Sequence, residues 1–107
     1  MRRGEIWWAR LPMPGGRRPV VLVSRDLAYV VRNRVTVVEV TTRVRGLETE
    51  VSLGARDGLP RSCCANADNL VTIQKAWLDQ RIGLLGPEKL CRLDRALALA
   101  LGLPSVA

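Results

Sequence analysis

Gly15-Gly16-Arg17-Arg18-Pro19-Val20-Val21-Leu22-Val23-Ser24 runs two glycines and two arginines straight into an unbroken apolar segment. Glycine lets a backbone turn tightly or approach a ligand closely, proline suits the start or edge of a strand, and four apolar residues in a row fit a strand covered on both faces. Residues 19–24 therefore read as a buried strand with Arg17 and Arg18 at its mouth. A guanidinium held there on rigid backbone presents a fork for phosphate, and the chain on either side can be read for residues that complete a site.

Before this strand, residues 4–11 alternate as a first one, with Glu5, Trp7, Ala9 and Leu11 on one face and Ile6, Trp8 and Arg10 on the other. One tryptophan is expected in the core and the other nearer a surface. Between the two strands, Pro12-Met13-Pro14-Gly15-Gly16 is a loop of breakers. After them, residues 34–43 are dominated by valine and threonine, which fill a pleated surface well; period two sets Val35, Val37, Glu39 and Thr41 against Thr36, Val38, Val40 and Thr42. A shorter strand is expected over 49–53, a turn at 57–60, and an extended stretch over 62–73 interrupted by Asn66-Ala67-Asp68-Asn69. Strands this short and this closely spaced suggest a small, strongly curved, barrel-like antiparallel sheet in a mainly β (α+β) fold.

Helical patterning comes late. Residues 75–82 suggest a short helix, and Pro87-Glu88 opens a clear one: proline in the first turn, an acid near the positive end, apolar Leu90, Leu93, Leu97 and Leu101, then Gly102 as the stop. That stripe packs on the sheet.

The chain has 107 residues, 48% of them hydrophobic, enough for one core and one domain over 1–107. Its longest apolar runs, such as 96–101, fall far short of the roughly 20 residues that cross a bilayer, and no apolar signal core follows Arg2-Arg3, so a soluble, cytoplasmic protein without a membrane partner is expected. Cys63 and Cys64 are adjacent and Cys91 stands alone, which argues against a disulfide framework or a zinc knuckle and for buried free thiols. Histidine is absent, which excludes Ser-His-Asp triads, histidine acid–base chemistry and His-rich zinc sites.

The net charge is +7, and all of the surplus lies in the first 45 residues: ten arginines against three carboxylates there, seven cations against seven carboxylates beyond. Arginine forks onto phosphate and stacks on bases, so a polyanion, most simply a nucleic acid, is the expected partner, with a merely solvated basic face as the alternative.

Four motifs in order then carry a resemblance. Arg3-Gly4-Glu5-Ile6-Trp7, Gly16-Arg17-Arg18-Pro19-Val20-Val21, Val40-Thr41-Thr42 and Asp68-Asn69-Leu70-Val71-Thr72-Ile73 together resemble the MazF/PemK family of toxin–antitoxin endoribonucleases over residues 2–75. The resemblance implies a PemK/SH3-like barrel with a C-terminal helix, a homodimer, metal-independent cleavage of single-stranded messenger, ribosomal or transfer RNA without a cofactor, and inhibition by a cognate acidic antitoxin. The family's arginine before proline falls on Arg18, its strand-end threonine on Thr41 and its acid in the fifth-strand motif on Asp68. Arg17, Thr42, Arg43, Arg45 and Asn69 are expected to contact RNA. The loop ahead of Arg18 lacks the Ser-Glu-Gln insertion of many members, and Asn66 stands where some carry a basic residue.

Cleavage by a neighbouring 2′-hydroxyl needs a base for that hydroxyl, a proton for the leaving 5′-oxygen, and donors around the transition state. Arg18, permanently charged with several donors in a rigid fork, is expected to stabilise the charge and to assist the leaving oxygen, with help from the Thr41 hydroxyl. Asp68 is the first candidate for the base and Glu39, on the Thr41 face, the second. A turn former is the competing reading of Asp68, a buried partner for an arginine that of Glu39, and a plain strand residue that of Thr41. Two other classes remain open: a non-catalytic nucleic-acid-binding module, for which three Trp and one Tyr offer little stacking surface, and a gyrase poison of related fold, for which the tail Leu103-Pro104-Ser105-Val106-Ala107 offers no aromatic anchor.

Overall fold

Gly16 adopts φ +64°, a left-handed conformation that a Cβ would strain, and so closes the turn between β1 (Glu5–Leu11) and β2 (Gly16–Leu22) in the computed structural model, which describes residues 1–104. Of the tail read above, Ser105, Val106 and Ala107 lie outside the described residues. The hairpin register runs from Ile6 opposite Val21 to Leu11 opposite Gly16. β2 thus begins three residues before Pro19, and Arg17 and Arg18 lie within the strand rather than ahead of it. β3 (Arg34–Thr41) pairs with β2 only from Val20 to Leu22. The stretch carrying Pro19 is therefore paired on one side, which a residue without an N–H tolerates, and the arginines stand at an open shoulder of the sheet.

Four further elements complete the chain: β4 (Glu50–Leu53), β5 (Cys63–Gln74), β6 (Leu78–Leu84) and helix α2 (Pro87–Leu101), with a one-turn helix α1 (Ala28–Val31) between β2 and β3. The strands form one curled antiparallel sheet in the order β4-β5-β3-β2-β1-β6, leaving β4 and β6 as edges. Residues 66–69 do not interrupt β5. They form a register jump, because Val38 pairs with Leu70 while Val40 pairs with Ala65. The helix expected over 75–82 is corrected to a single 3-10 turn, Lys75–Trp77, followed by β6. The four-residue spacing of Leu78 and Ile82 mimics a helix, but pairing with β1 outweighs so weak a local preference.

Period two holds on both central strands. Ile6, Val21, Val38 and Val40 face one core cluster, closed by Leu93 and Ala96 of α2; Ala9, Val20, Leu22, Val35 and Val37 face the other, closed by Tyr29. Val20, Val21 and Leu22 are completely buried, the both-faces burial expected of an unbroken apolar run. Each such side chain contributes about 1.5–3 kcal/mol relative to exposure, so β2 anchors the shoulder that carries the arginines. In α2, Pro87 follows an extended Gly86, and Gly102 at φ +67° ends the helix with Leu103 N–H donating to Ala98 O. The apolar stripe closes on the sheet at Leu93, but Leu101 is exposed.

Candidate active site

Arg18 lies two residues before Val20 on the same face of β2, and Val20 sits opposite Glu39 on β3. The Arg18 guanidinium accordingly reaches Glu39: Nη1 donates to Oε1 at 3.0 Å, while Nη2 donates to the carbonyl of Gly15 at 3.3 Å. Nε is buried and has no partner among the described residues. The pair is half-buried, with side chains 36% and 24% exposed, so it is open to a ligand while shielded in part from solvent. Two of the five N–H donors of Arg18 are used and a third, on Nε, is buried, which leaves one hydrogen on each Nη for an anion.

Thr41 follows Glu39 by two residues and shares its face. Its Oγ1 accepts the Arg43 N–H at 3.1 Å, which leaves its own proton free to donate. Arg18 and Glu39 thus meet across adjacent strands, and Thr41 stands two residues further along the Glu39 face of β3. Asp68 is held differently. It is exposed at the β5 register jump, Oδ2 accepts the Thr49 hydroxyl at 2.7 Å, and its N–H donates to Asn66 Oδ1 at 2.9 Å. Among the described residues no hydrogen bond or ion pair joins Asp68 to Arg18, Glu39 or Thr41. Asn69 is likewise exposed on the jump.

The flanking cations divide into held and free. Arg17 points to the opposite face, stacks over the Trp8 ring at 4.4 Å, and meets Asp79 of β6 at 3.3 Å. Arg10 pairs with the same carboxylate at 2.7 Å, and these two guanidiniums hold the Asp79 carboxyl below its usual range. Arg17 is thereby a clamp between β2 and β6 as well as a surface cation. Thr42, Arg43 and Arg45 are exposed in the loop after β3. Glu50 shapes that loop, accepting the backbone N–H groups of Arg45, Gly46 and Leu47 at 2.8–3.2 Å. Trp7 packs with the second core cluster and donates to Glu5, whereas Trp8 faces outward beneath Arg17.

A groove of about 240 Å³ opens beside Thr41 and Thr42, walled by Trp8, Pro19, Leu59 and Arg61. Arg61, next to Pro60 at the start of an extended segment, is a groove cation that the sequence reading passed over; its position flanking a strand was the available cue. A larger cavity, about 340 Å³ between β4 and α2, is lined by Glu48, Glu50, Arg92 and Arg95 and contains none of Arg18, Glu39 and Thr41. Convergent chemistry, not volume, marks the site. Cys63 and Cys64 are buried as expected, and burial, with the nearby Glu50 and Cys63, pushes the Cys64 thiol up to about 11. Cys91 is exposed, contrary to that expectation, because it lies on the outer face of α2. No helix among the described residues is long and apolar enough to cross a membrane.

Residues 2–101 match the family described as PemK-like, MazF-like toxin of type II toxin-antitoxin system. A probable endoribonuclease MazF5 of Mycobacterium tuberculosis is 38% identical over 99 residues, covering 92% of this chain and 90% of that protein. A probable endoribonuclease MazF2 of the same species is 39% identical over 100 residues, 90% and 96% of the two chains. Among solved structures, the M. tuberculosis toxin MazF-mt6 superposes with a TM-score of 0.88 at 34% identity over 94% of this chain and 99% of the other. A mycobacterial endoribonuclease in complex with its cognate antitoxin gives 0.85 at 31% identity over 99% of each.

Proposed function

This chain belongs to the PemK-like, MazF-like toxins of type II toxin–antitoxin systems, and from that premise we propose that it is a sequence-specific endoribonuclease cutting single-stranded RNA by 2′-hydroxyl attack, without a metal ion. The observation that carries the reading is the arrangement at the shoulder of β2 and β3: a half-buried, permanently charged fork on Arg18 bonded to Glu39 and, two residues along the same strand face from that carboxylate, a hydroxyl on Thr41 whose proton is free. In the transition state the equatorial phosphoryl oxygens gain charge. Arg18 and Thr41 offer donors where that charge develops, and donors already in place cost no reorganisation. Thr42, Arg43 and Arg45, exposed in the loop after β3, and Asn69, exposed on the β5 register jump, are assigned to the flanking phosphates and bases, with Arg17 stiffening the hairpin through Asp79.

The protein acts as one toxin domain in the cytoplasm, paired as a homodimer and held inactive by an acidic antitoxin; the antitoxin complex among its structural relatives supports that partner. The test is cleavage of defined single-stranded RNA by purified protein in EDTA, alongside DNA of the same sequence. RNA is expected to be cut at defined sites to products with 5′-hydroxyl ends, and the DNA to survive. Cleavage of the DNA would remove the 2′-hydroxyl mechanism, and loss of all activity in the chelator would remove the metal-free one.

A further inference from the structure

We infer that Glu39 is the general base that takes the proton from the attacking 2′-hydroxyl. The inference deepens the proposed ribonuclease reading and rests on it. With histidine absent from the chain, a carboxylate is the natural candidate. Glu39 is joined directly to Arg18 at 3.0 Å and shares its strand face with Thr41. Asp68 is bound instead to the Thr49 hydroxyl.

The sheet is opened at this very position. Val38 pairs with Leu70 and Val40 with Ala65, so residues 66–69 of β5 bulge away where Glu39 would otherwise meet a partner. Glu39 keeps its pairing with Val20 on β2 and lacks only a β5 partner, because the bulge ends the ladder locally on that side. Electrostatics point the same way. A carboxylate next to the one cation suited to the reacting phosphate repels that phosphate in the ground state, so its presence there is a burden unless it works in the reaction. Arg18 then has two roles: one edge of the fork orients Glu39, and the free donors meet the phosphate.

The 2′-hydroxyl proton passes to a Glu39 carboxylate oxygen as the O2′–P bond forms. The P–O5′ bond breaks with its electron pair remaining on O5′, which takes a proton from water, giving a 2′,3′-cyclic phosphate and a 5′-hydroxyl. Glu39 later returns its proton to solvent. The charged groups on the elements flanking Glu39 are Arg18 on β2, Asp68 on β5 and Arg43 in the loop after β3, with Arg17 of β2 turned away onto Trp8 and Asp79.

The experiment compares wild type, Glu39→Gln, Glu39→Asp, Asp68→Asn and Arg18→Ala in single-turnover cleavage across a pH series in EDTA. In parallel it measures binding of an RNA made uncleavable by 2′-deoxy substitution at the cut site. Glu39→Gln is expected to lose about 10²–10⁴-fold in rate, to lose the acid limb of the pH–rate profile, and to bind the uncleavable RNA as tightly as wild type or more so. Glu39→Asp keeps a carboxylate and should keep the acid limb at reduced rate, which preserves the test if Glu39→Gln folds poorly. A Glu39→Gln rate near wild type, an acid limb that disappears in Asp68→Asn instead, or a loss of rate matched by an equal loss of binding would overturn the assignment. Full activity in Arg18→Ala would sink the underlying reading of the site, whatever Glu39 does.

Discussion

Replacing Arg18 by alanine separates catalysis from stability, and the structure sets both magnitudes. On the chemical side, the variant loses the forked donor proposed to meet the phosphoryl group, for which at least about 10²-fold in rate is expected, equivalent to about 2.7 kcal/mol of transition-state stabilisation. On the stability side, it loses an ion pair that is 36% and 24% exposed and one 3.3 Å bond to the Gly15 carbonyl. Exposed pairs contribute about 0–1 kcal/mol, so the melting temperature of a domain this size should fall by no more than about 4–8 °C. Arg18→Lys restores charge but not the planar fork and should recover little activity. The assay is single-turnover RNA cleavage in EDTA, with thermal melts at one fixed protein concentration. Cleavage at the wild-type rate by a folded Arg18→Ala protein would refute the argument, and so would full rescue by lysine.

Three further outcomes follow from the packing and the titrating groups. Leu93→Ala empties a fully buried position between α2 and the sheet and should cost about 2–5 kcal/mol in denaturant unfolding. With the Cys64 thiol pushed up to about 11 and Cys63 buried, a thiol reagent near neutral pH should label Cys91 alone in the native protein and all three after unfolding, as read by mass spectrometry. Burial pushes the Glu5 carboxyl up, but hydrogen bonds from Trp7, Arg2 and Arg81 outweigh it and hold it below its ordinary 4.5. Its stabilisation is therefore complete above that value and lost as pH falls through the lower native one, so Glu5→Gln should flatten the acid side of the stability–pH curve.

What the sequence disclosed and what it concealed divide by the range of the interaction. β2 was legible because four consecutive apolar residues admit little but a strand buried on both sides, and α2 because Pro87 and Gly102 mark its ends locally. β6 was not, since Leu78 and Ile82 fit either period and pairing with β1, some seventy residues away in the chain, decides between them. The site divides in the same way. Arg18 and Thr41 were marked as candidates by the Arg-Pro and Val-Thr-Thr motifs, but the proposed choice of Glu39 over Asp68 rests on the β3–β5 register, which no local pattern encodes. Arg17 counted as one more positive charge until the fold set Asp79 beneath it.

That last distinction sharpens the expectation for the proposed acidic partner. Of the ten arginines in the first 45 residues, Arg3, Arg10, Arg17 and Arg18 are paired with carboxylates; the other six, Arg43 and Arg45 among them, form no ion pair among the described residues. Arg43 and Arg45 sit in the exposed loop that starts at Thr41, next to the groove walled by Trp8 and Leu59. An acidic, flexible antitoxin segment would be steered first to that loop and would then lay apolar side chains into the groove, covering Thr41 and competing with RNA. Steering acts on association and apolar anchoring on dissociation. Raising salt from 0.1 to 1 M shortens the Debye length from about 10 to about 3 Å, so the association rate should fall steeply while the dissociation rate changes little. Arg43→Glu combined with Arg45→Glu should reproduce the slow association at low salt and remove most of the salt dependence, whereas Trp8→Ala should mainly speed dissociation. Stopped-flow binding of an antitoxin peptide to the three proteins measures all of this, and an association rate indifferent to both salt and the double substitution would place the partner elsewhere on the molecule.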